Sequence, residues 1–398
     1  MGAACLLLAA SAQAGDEAAT WDERGFTLRG PQGAWEFNLG GRAHFDGGSI
    51  GVGDPAVTGE QRDAGRVRRI WIEPTVKLGP DLTIALQYDP SSRERPIDNL
   101  VGTWSGVPSV LVSVGNFKEP FGLETLTSNN DITFMERALS DTFSPERNTG
   151  IAASHAGEGW TVAAGLFGGN INDSVDRGGI AGTGRVTWTP IRSDETVLHL
   201  GLAGSYRSLD RAGPSVSFDS TPESALSRVS LVDTGALDGA RTIRRVGLEA
   251  AGAHGPFRVQ AEYGATEVDR AGRPSARLQG GYVYGAWVLN GTAPDYSTAG
   301  GVATEVAVFR RVKPTDGQRV SQGGIGVFEL AARYSAIDLD SRDVRGGVEQ
   351  DVTLALNWYP EPFIRVMANY VHAWVDAAAP TRRDTVADIG QVRLQLSF

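Results

Sequence analysis

Cysteine is all but missing from this chain. The one thiol, Cys5, lies in MGAACLLLAASAQAGDEAAT, where a short apolar run from Ala3 to Ala10 precedes Ala12-Gln13-Ala14. That small-x-small triplet has the form of a signal-peptidase site. Residues 1–14 are therefore expected to be a signal peptide, truncated at its basic start, and residues 15–398 the exported domain. Lipidation at Cys5 is the poorer alternative, because Gly-Ala-Ala fits a lipobox badly. Once the leader is cleaved no cysteine remains, which excludes disulfides, thiolate catalysis and cysteine-bound metals together. Lysine is nearly as scarce: apart from Lys77, Lys118 and Lys313, the other 34 of the 37 basic residues are arginine. A genome rich in G and C gives such a bias, and so does a need for planar forks that grip oxyanions.

Net positive charge is lacking as well. At −10 the chain does not suit a nucleic-acid partner bound through a general basic surface. No stretch of 18 uninterrupted apolar residues is present, so no transmembrane helix is expected, and an exported chain without one is periplasmic, extracellular or an outer-membrane barrel. Catalytic signatures are missing too. There is no cysteine pair, no His-Glu-x-x-His and no lysine after a glycine that could build a phosphate loop. His44, His155, His199, His254 and His372 are scattered. No catalytic residue, metal or cofactor is expected, and the chain does not read as an enzyme.

What is present is alternation. In RIWIEPTVKLGPDLTIALQYD, Ile70, Ile72, Pro74, Val76 and Leu78 share one face, while Arg69, Trp71, Glu73, Thr75 and Lys77 share the other. Gly79-Pro80-Asp81 supplies turn chemistry, and Leu82, Ile84, Leu86 and Tyr88 resume the apolar face. Pro74 alone argues against a central strand. The unit recurs in SVLVSVG, VLHLGLAGSYR, RRVGLEAAGAHGPFRVQAEYG and DVTLALNWYPEPFIRVMANYVHAWV. Very short turns join the strands in pairs, and long polar connections such as 210–241 join the pairs. Short turns at one end and long loops at the other are the pattern of a transmembrane antiparallel β-barrel. Trp104, Trp160, Trp188 and Trp358 sit beside short turns, where an interfacial girdle belongs. At roughly 10 residues per tilted strand, the exported domain suits about 14 to 18 strands, with 16 expected, around an aqueous lumen.

The last residues, GQVRLQLSF, keep the period of two to the end: Val392, Leu394, Leu396 and Phe398 against Gln391, Arg393, Gln395 and Ser397. A closed barrel explains this, because its last strand must pair with its first. The terminal aromatic also looks like the address read by the outer-membrane assembly machinery. Outer-membrane lipid and lipopolysaccharide are the surroundings this implies.

One segment breaks the pattern. VGNFKEPFGLETLTSNNDITFMERALSDTFSPERNTG carries Phe117, Phe121, Leu123, Leu126, Ile132, Phe134, Met135 and Leu139, too much apolar surface for a solvated loop. It is expected to fold into the lumen as a constriction, with Lys118, Arg137 and Arg147 set against Glu119, Glu124 and Glu136. Selectivity in such pores comes from charged side chains around a narrowing. From the polar face of the strands, Arg42, Arg69, Lys77, Arg207, Arg245, Arg258, Arg333 and Arg365 join Lys118 and Arg137 as candidates to meet a passing solute. Each is as well suited to pair with a lumenal carboxylate such as Glu73, Glu262 or Glu329.

NFKEPFGLETLTS followed by ITFMERAL resembles the start of the constriction loop in the phosphate-selective porin O and P family. GFTLRGPQGAWEFNLGGR is similar to that family's first strands, GGYVYGAWVLNG and VFRRVKP to its middle, and VEQDVTLALNWYPEPFIRVMANYVHAWV to its end. The resemblance spans nearly the whole exported domain. It implies a 16-stranded homotrimeric barrel that passes small anions by diffusion, favouring phosphate or polyphosphate. The negative net charge and the carboxylates beside the arginines make "porin" the firmer implication and "phosphate" the finer one.

Overall fold

A computed structural model describes residues 18–22, 25–53, 62–173, 179–209, 214–227, 230–376 and 384–398. The expected signal peptide lies outside the described residues. Sixteen strands form an antiparallel ring: Trp35–Val52, Arg62–Leu78, Leu82–Tyr88, Ile97–Val107, Val110–Lys118, Arg147–Gly157, Trp160–Phe167, Ile180–Arg192, Thr196–Ser208, Ala240–His254, Phe257–Arg270, Arg273–Val288, Val327–Ser341, Val344–Glu361, Ile364–Asp376 and Thr385–Ser397. The ring closes where Ala387 to Ser397 pairs with Val52 to Arg42. A closed ring satisfies every ladder hydrogen bond without an edge, which is what lets a sheet cross hydrocarbon.

The alternation sorts the two faces. Val186, Leu202, Val246, Leu248 and Leu354 point outward, each about half exposed, whereas Thr187, Ser205, Glu249 and Thr353 on the same strands are buried within. An apolar exterior around a polar interior is the inverse of a soluble sandwich. Trp104, Trp160, Trp188, Phe257, Trp287, Phe363 and Phe398 ring the outer face at the turn end. Near the other end, outward tyrosines bond across strands: Tyr263 to Gln279 at 2.8 Å, Tyr334 to Gln350 at 2.7 Å and Tyr370 to Asp388 at 2.5 Å. These are the two interfacial girdles of a membrane barrel. Pro74 sits within its strand where the ladder to the next one is interrupted, between Ile72↔Tyr88 and Thr75↔Ala85. Its missing N–H therefore costs no bond.

A further hairpin, Ala18–Asp22 with Gly25–Arg29, pairs with residues 36–39 of the first barrel strand, directly beyond the end of the last one. Phe398 exchanges backbone bonds with Gly41 at 2.7 and 3.0 Å. A side chain at Gly41 would come within 3.1 Å of the Phe398 ring. Trp21 stacks on that ring, with centroids 5.9 Å apart.

Two expectations about connections need correction. At the loop end, 271–272 and 342–343 are tight turns. At the turn end, the strand that finishes at Val288 is followed by a long arm, 289–326, before the strand starting at Val327. The arm is long because it turns back into the lumen, where Val302, Ala303, Val306, Ala307, Val308 and Phe309 are buried. From the loop end, 214–227 and 230–239 also fold inward, and Phe218, Leu231, Val232 and Leu237 pack with Leu139 and Phe143 of the constriction loop.

Candidate functional site

The constriction loop, 119–146, is held by side chains from around the wall. Its α-helical turn, Leu123–Leu126, starts against Glu262, whose carboxylate accepts the N–H groups of Leu123 and Glu124 at 2.7 and 2.6 Å. Backbone carbonyls farther along meet arginines. Arg365 donates to Ile132 O and Thr133 O at 2.7 and 2.8 Å, and Arg333 to Glu136 O at 3.0 Å. Arg393 bonds the carbonyl of Met135 and the carboxylate of Glu136, the latter at 2.6 Å. A guanidinium suits this work, since one planar fork satisfies several acceptors while keeping its charge.

The candidate residues separate into two groups by position. Arg258, Arg333 and Arg365 are buried fasteners. Arg258 bonds the Thr133 hydroxyl and lies 3.7 Å from Glu329. Arg333 pairs with Glu223 at 2.5 Å and Glu124 at 3.0 Å. Arg365 lies 4.0 Å from Glu329. Arg137 braces the loop from within, donating to the carbonyls of Glu124, Thr125 and Thr127 at 3.0 to 3.3 Å. Arg69 lies 3.9 Å from Glu136 and 5.6 Å from the Trp71 ring. Arg207 pairs with Glu119 at 2.5 Å. Arg245 is buried with Nε and Nη1 lacking a hydrogen-bond partner among the described residues, and Lys77 is exposed at the turn end.

Arg42 and Lys118 belong to the second group, on a cavity of about 1030 Å³. It is bounded by the wall, by residues 128–131 of the constriction loop and by the 289–326 arm. Arg42 pairs with Glu73 at 2.6 Å and donates to Ser128 Oγ at 2.8 Å. Arg147, Arg310, Arg311 and Lys313 complete the basic lining, against the carboxylates Glu73, Asp131, Asp295 and Glu305. Several of these charges face each other loosely: Lys118 and Glu305 at 3.9 Å, Arg310 and Asp131 at 3.9 Å, Arg147 and neighbouring Asp98 at 3.8 Å. Pairs at that distance fall short of hydrogen bonds, so the donors keep capacity for another acceptor. A recess of about 240 Å³ toward the loop end has the opposite balance, with Arg68 and Arg137 against Glu136, Asp141, Asp219 and Glu223.

Charge in the loop is set by these neighbours. Burial pushes Glu136 upward, yet Arg68, Arg393 and Arg69 hold it well below the usual carboxylate range. Burial raises Glu124, and Arg333 only partly offsets it.

Sequence reasoning missed the arm and its Arg310, Arg311 and Lys313. Their signal was available in VATEVAVFRRVKP, an apolar run followed by three basic residues and so unlike a solvated turn. The arm is pinned at its tip. Ala303 N–H donates to Ser113 Oγ at 2.9 Å, and the Thr304 hydroxyl to the Lys118 carbonyl at 2.8 Å. Arg185, paired with Glu249 at 2.7 Å, donates to Val306 O and Ala307 O at 2.7 and 3.2 Å. His199 links Glu249 to the Tyr296 hydroxyl at 3.0 and 2.7 Å. Ala307 has φ 56°, a conformation that alanine adopts only when its surroundings impose it.

A lipid-facing barrel with an inward-folded loop and a charged lumen defines an outer-membrane porin, a channel and not an enzyme. The chain belongs to the phosphate-selective porin O and P family, whose model matches residues 37–398. It is 27% identical to Porin O of Pseudomonas aeruginosa over 445 aligned positions, covering 100% of this chain and 98% of that one. Its fold is similar to an anion-selective porin from Comamonas acidovorans, with TM-score 0.55 and 11% identity over 92% of this chain and 100% of that one. It is also similar to the trimer form of OmpT from Vibrio cholerae, with TM-score 0.54 and 12% identity over the same shares. The protein resides in the outer membrane of a Gram-negative bacterium and passes small solutes by diffusion. Phe398 and most of the short turns lie at the end that corresponds to the periplasmic side in outer-membrane barrels.

Proposed function

We propose that this porin prefers anions, phosphate or polyphosphate among them, and that the central cavity is where the preference arises. The observation that carries this reading is the cavity lining, in which Lys118, Arg42, Arg147, Arg310, Arg311 and Lys313 outnumber four carboxylates. A phosphate that sheds water there exchanges it for charge-assisted donors. Several modest sites in series select an anion without trapping it, which one strong site does not do. The fastening arginines Arg258, Arg333 and Arg365 support the path indirectly by holding the constriction loop. Arg137 does so from within the loop, while Arg69 and Arg245 add positive potential along the wall. The four carboxylates in the same lining favour a second reading, a general small-solute pore. A homotrimer, embedded in lipid and lipopolysaccharide and inserted by the assembly machinery through its C-terminal strand, is the form proposed for the working channel.

Single-channel recording in planar bilayers separates the readings. In a KCl gradient the reversal potential should report chloride favoured over potassium, and added phosphate should block the chloride current. Lys118→Glu should weaken that block by at least about tenfold, the effect of roughly 1.4 kcal/mol. A cation-favouring reversal potential would defeat the anion reading.

A further inference from the structure

The arm that enters from the periplasmic end brings a carboxylate of its own to Lys118. Glu305 Oε1 stands 3.9 Å from Lys118 Nζ, and the lysine side chain is only 5% exposed against 28% for the glutamate. The juxtaposition is held on both sides. Ala303 and Thr304 are bonded to Ser113 and to Lys118 itself, on the strand that carries the lysine. Beyond Glu305, Arg185 grips the carbonyls of Val306 and left-handed Ala307. The backbone around Glu305 thus cannot shift from the lysine's strand without breaking these four hydrogen bonds. Yet the glutamate stops short of a direct bond to the ammonium, whose donors remain available.

We infer that Glu305 is a specificity-determining residue: a resident carboxylate that competes with the solute anion for Lys118 and sets how long that anion stays. The inference rests on the reading of the cavity as the anion path. An anion seated at Lys118 has Glu305 as its near neighbour, and the repulsion between them grows with the product of their charges. Chloride is disfavoured least, a phosphate dianion more, and pyrophosphate most. The carboxylate therefore shortens residence chiefly for the multiply charged oxyanions that the surrounding cations would otherwise hold. Binding strong enough to select and weak enough to release is what a conducting filter requires.

The test uses full-length protein in planar bilayers, with phosphate and then pyrophosphate titrated against chloride current. Glu305→Gln keeps the shape and removes the charge. It should lower the blocking concentration of phosphate roughly tenfold, the equivalent of about 1.4 kcal/mol, lengthen individual block events, and shift pyrophosphate further than phosphate. Glu305→Asp, which keeps the charge, should stay near the parent. Lys118→Gln should raise the blocking concentration, and Glu305→Gln on that background should have little further effect. Heat-modifiable migration on gels checks that each variant is folded, and Glu305→Ala replaces the glutamine variant if that one is not. If Lys118→Gln leaves the block unchanged, the reading of the cavity falls. If Lys118→Gln weakens the block while neutralising Glu305 leaves it unchanged or weaker, that reading stands and the role of Glu305 is overturned.

Discussion

Replacing Arg393 by methionine tests whether the buried ion pairs fasten this barrel. Arg393 lies on the last strand directly opposite Asp46 on the first, and its fork bonds both carboxylate oxygens at 2.6 and 2.7 Å. The same guanidinium reaches Glu136 of the constriction loop at 2.6 Å. Both side chains of the Arg393–Asp46 pair are essentially inaccessible. Methionine would leave the Asp46 carboxylate buried without its hydrogen-bonded ion-pair partner, a situation that costs about 3–5 kcal/mol. Glu136 keeps Arg68 at 2.9 Å and adds less. Removing both partners, as in Asp46→Leu with Arg393→Met, deletes the stranded charge and should restore most of the loss, to within about 1–2 kcal/mol of the parent. Urea unfolding of the refolded porin in lipid vesicles, followed by tryptophan fluorescence and heat-modifiable migration, gives the two differences. A single variant that loses less than about 1 kcal/mol, or a double variant no better than the single, would refute the reasoning.

Two further outcomes follow from the constriction loop. Arginine neighbours hold Glu136 well below the usual carboxylate range despite its burial, so its contribution is complete above about pH 4.3, the unfolded value, and lost as pH falls through the folded one. Protease nicking within 119–146 should rise as pH falls below about 4.3, and Glu136→Gln should flatten that rise. Glu262→Ala leaves the N–H groups of Leu123 and Glu124 without their acceptor; amide hydrogen exchange at 123–126 should quicken by the equivalent of about 1–3 kcal/mol, with the barrel strands unaffected.

Most of the barrel was legible because each strand states its own faces: the period of two needs no partner to be read. The inward fold of 119–146 was legible from its apolar excess. The work of the arginines was not, because it is defined by partners remote in sequence. Arg333 meets Glu124 and Glu223, and Arg393 meets Asp46, across separations of more than a hundred residues. Strand parity says that such a residue points inward. It does not say whether a loop carbonyl, a carboxylate or open water awaits it there. The arm escaped for a related reason. The topological rule assigns short turns to its end of the barrel, and only its apolar run before Arg310 contradicts that rule.

The hairpin formed by 18–22 and 25–29 carries one more consequence. A cylinder of strands is defined by how far its sheet is staggered on closing, and a seam between two long, regular strands could in principle close two residues out of step. Here the hairpin occupies the next pairing positions on the first strand immediately beyond Phe398. A slip in that direction would drive the terminal phenylalanine into the Gly25–Arg29 backbone. The opposite slip would pull Phe398 off Gly41 and away from Trp21. The amino-terminal hairpin thus acts as an end-stop, giving the cylinder a single shear and, through it, one fixed bore.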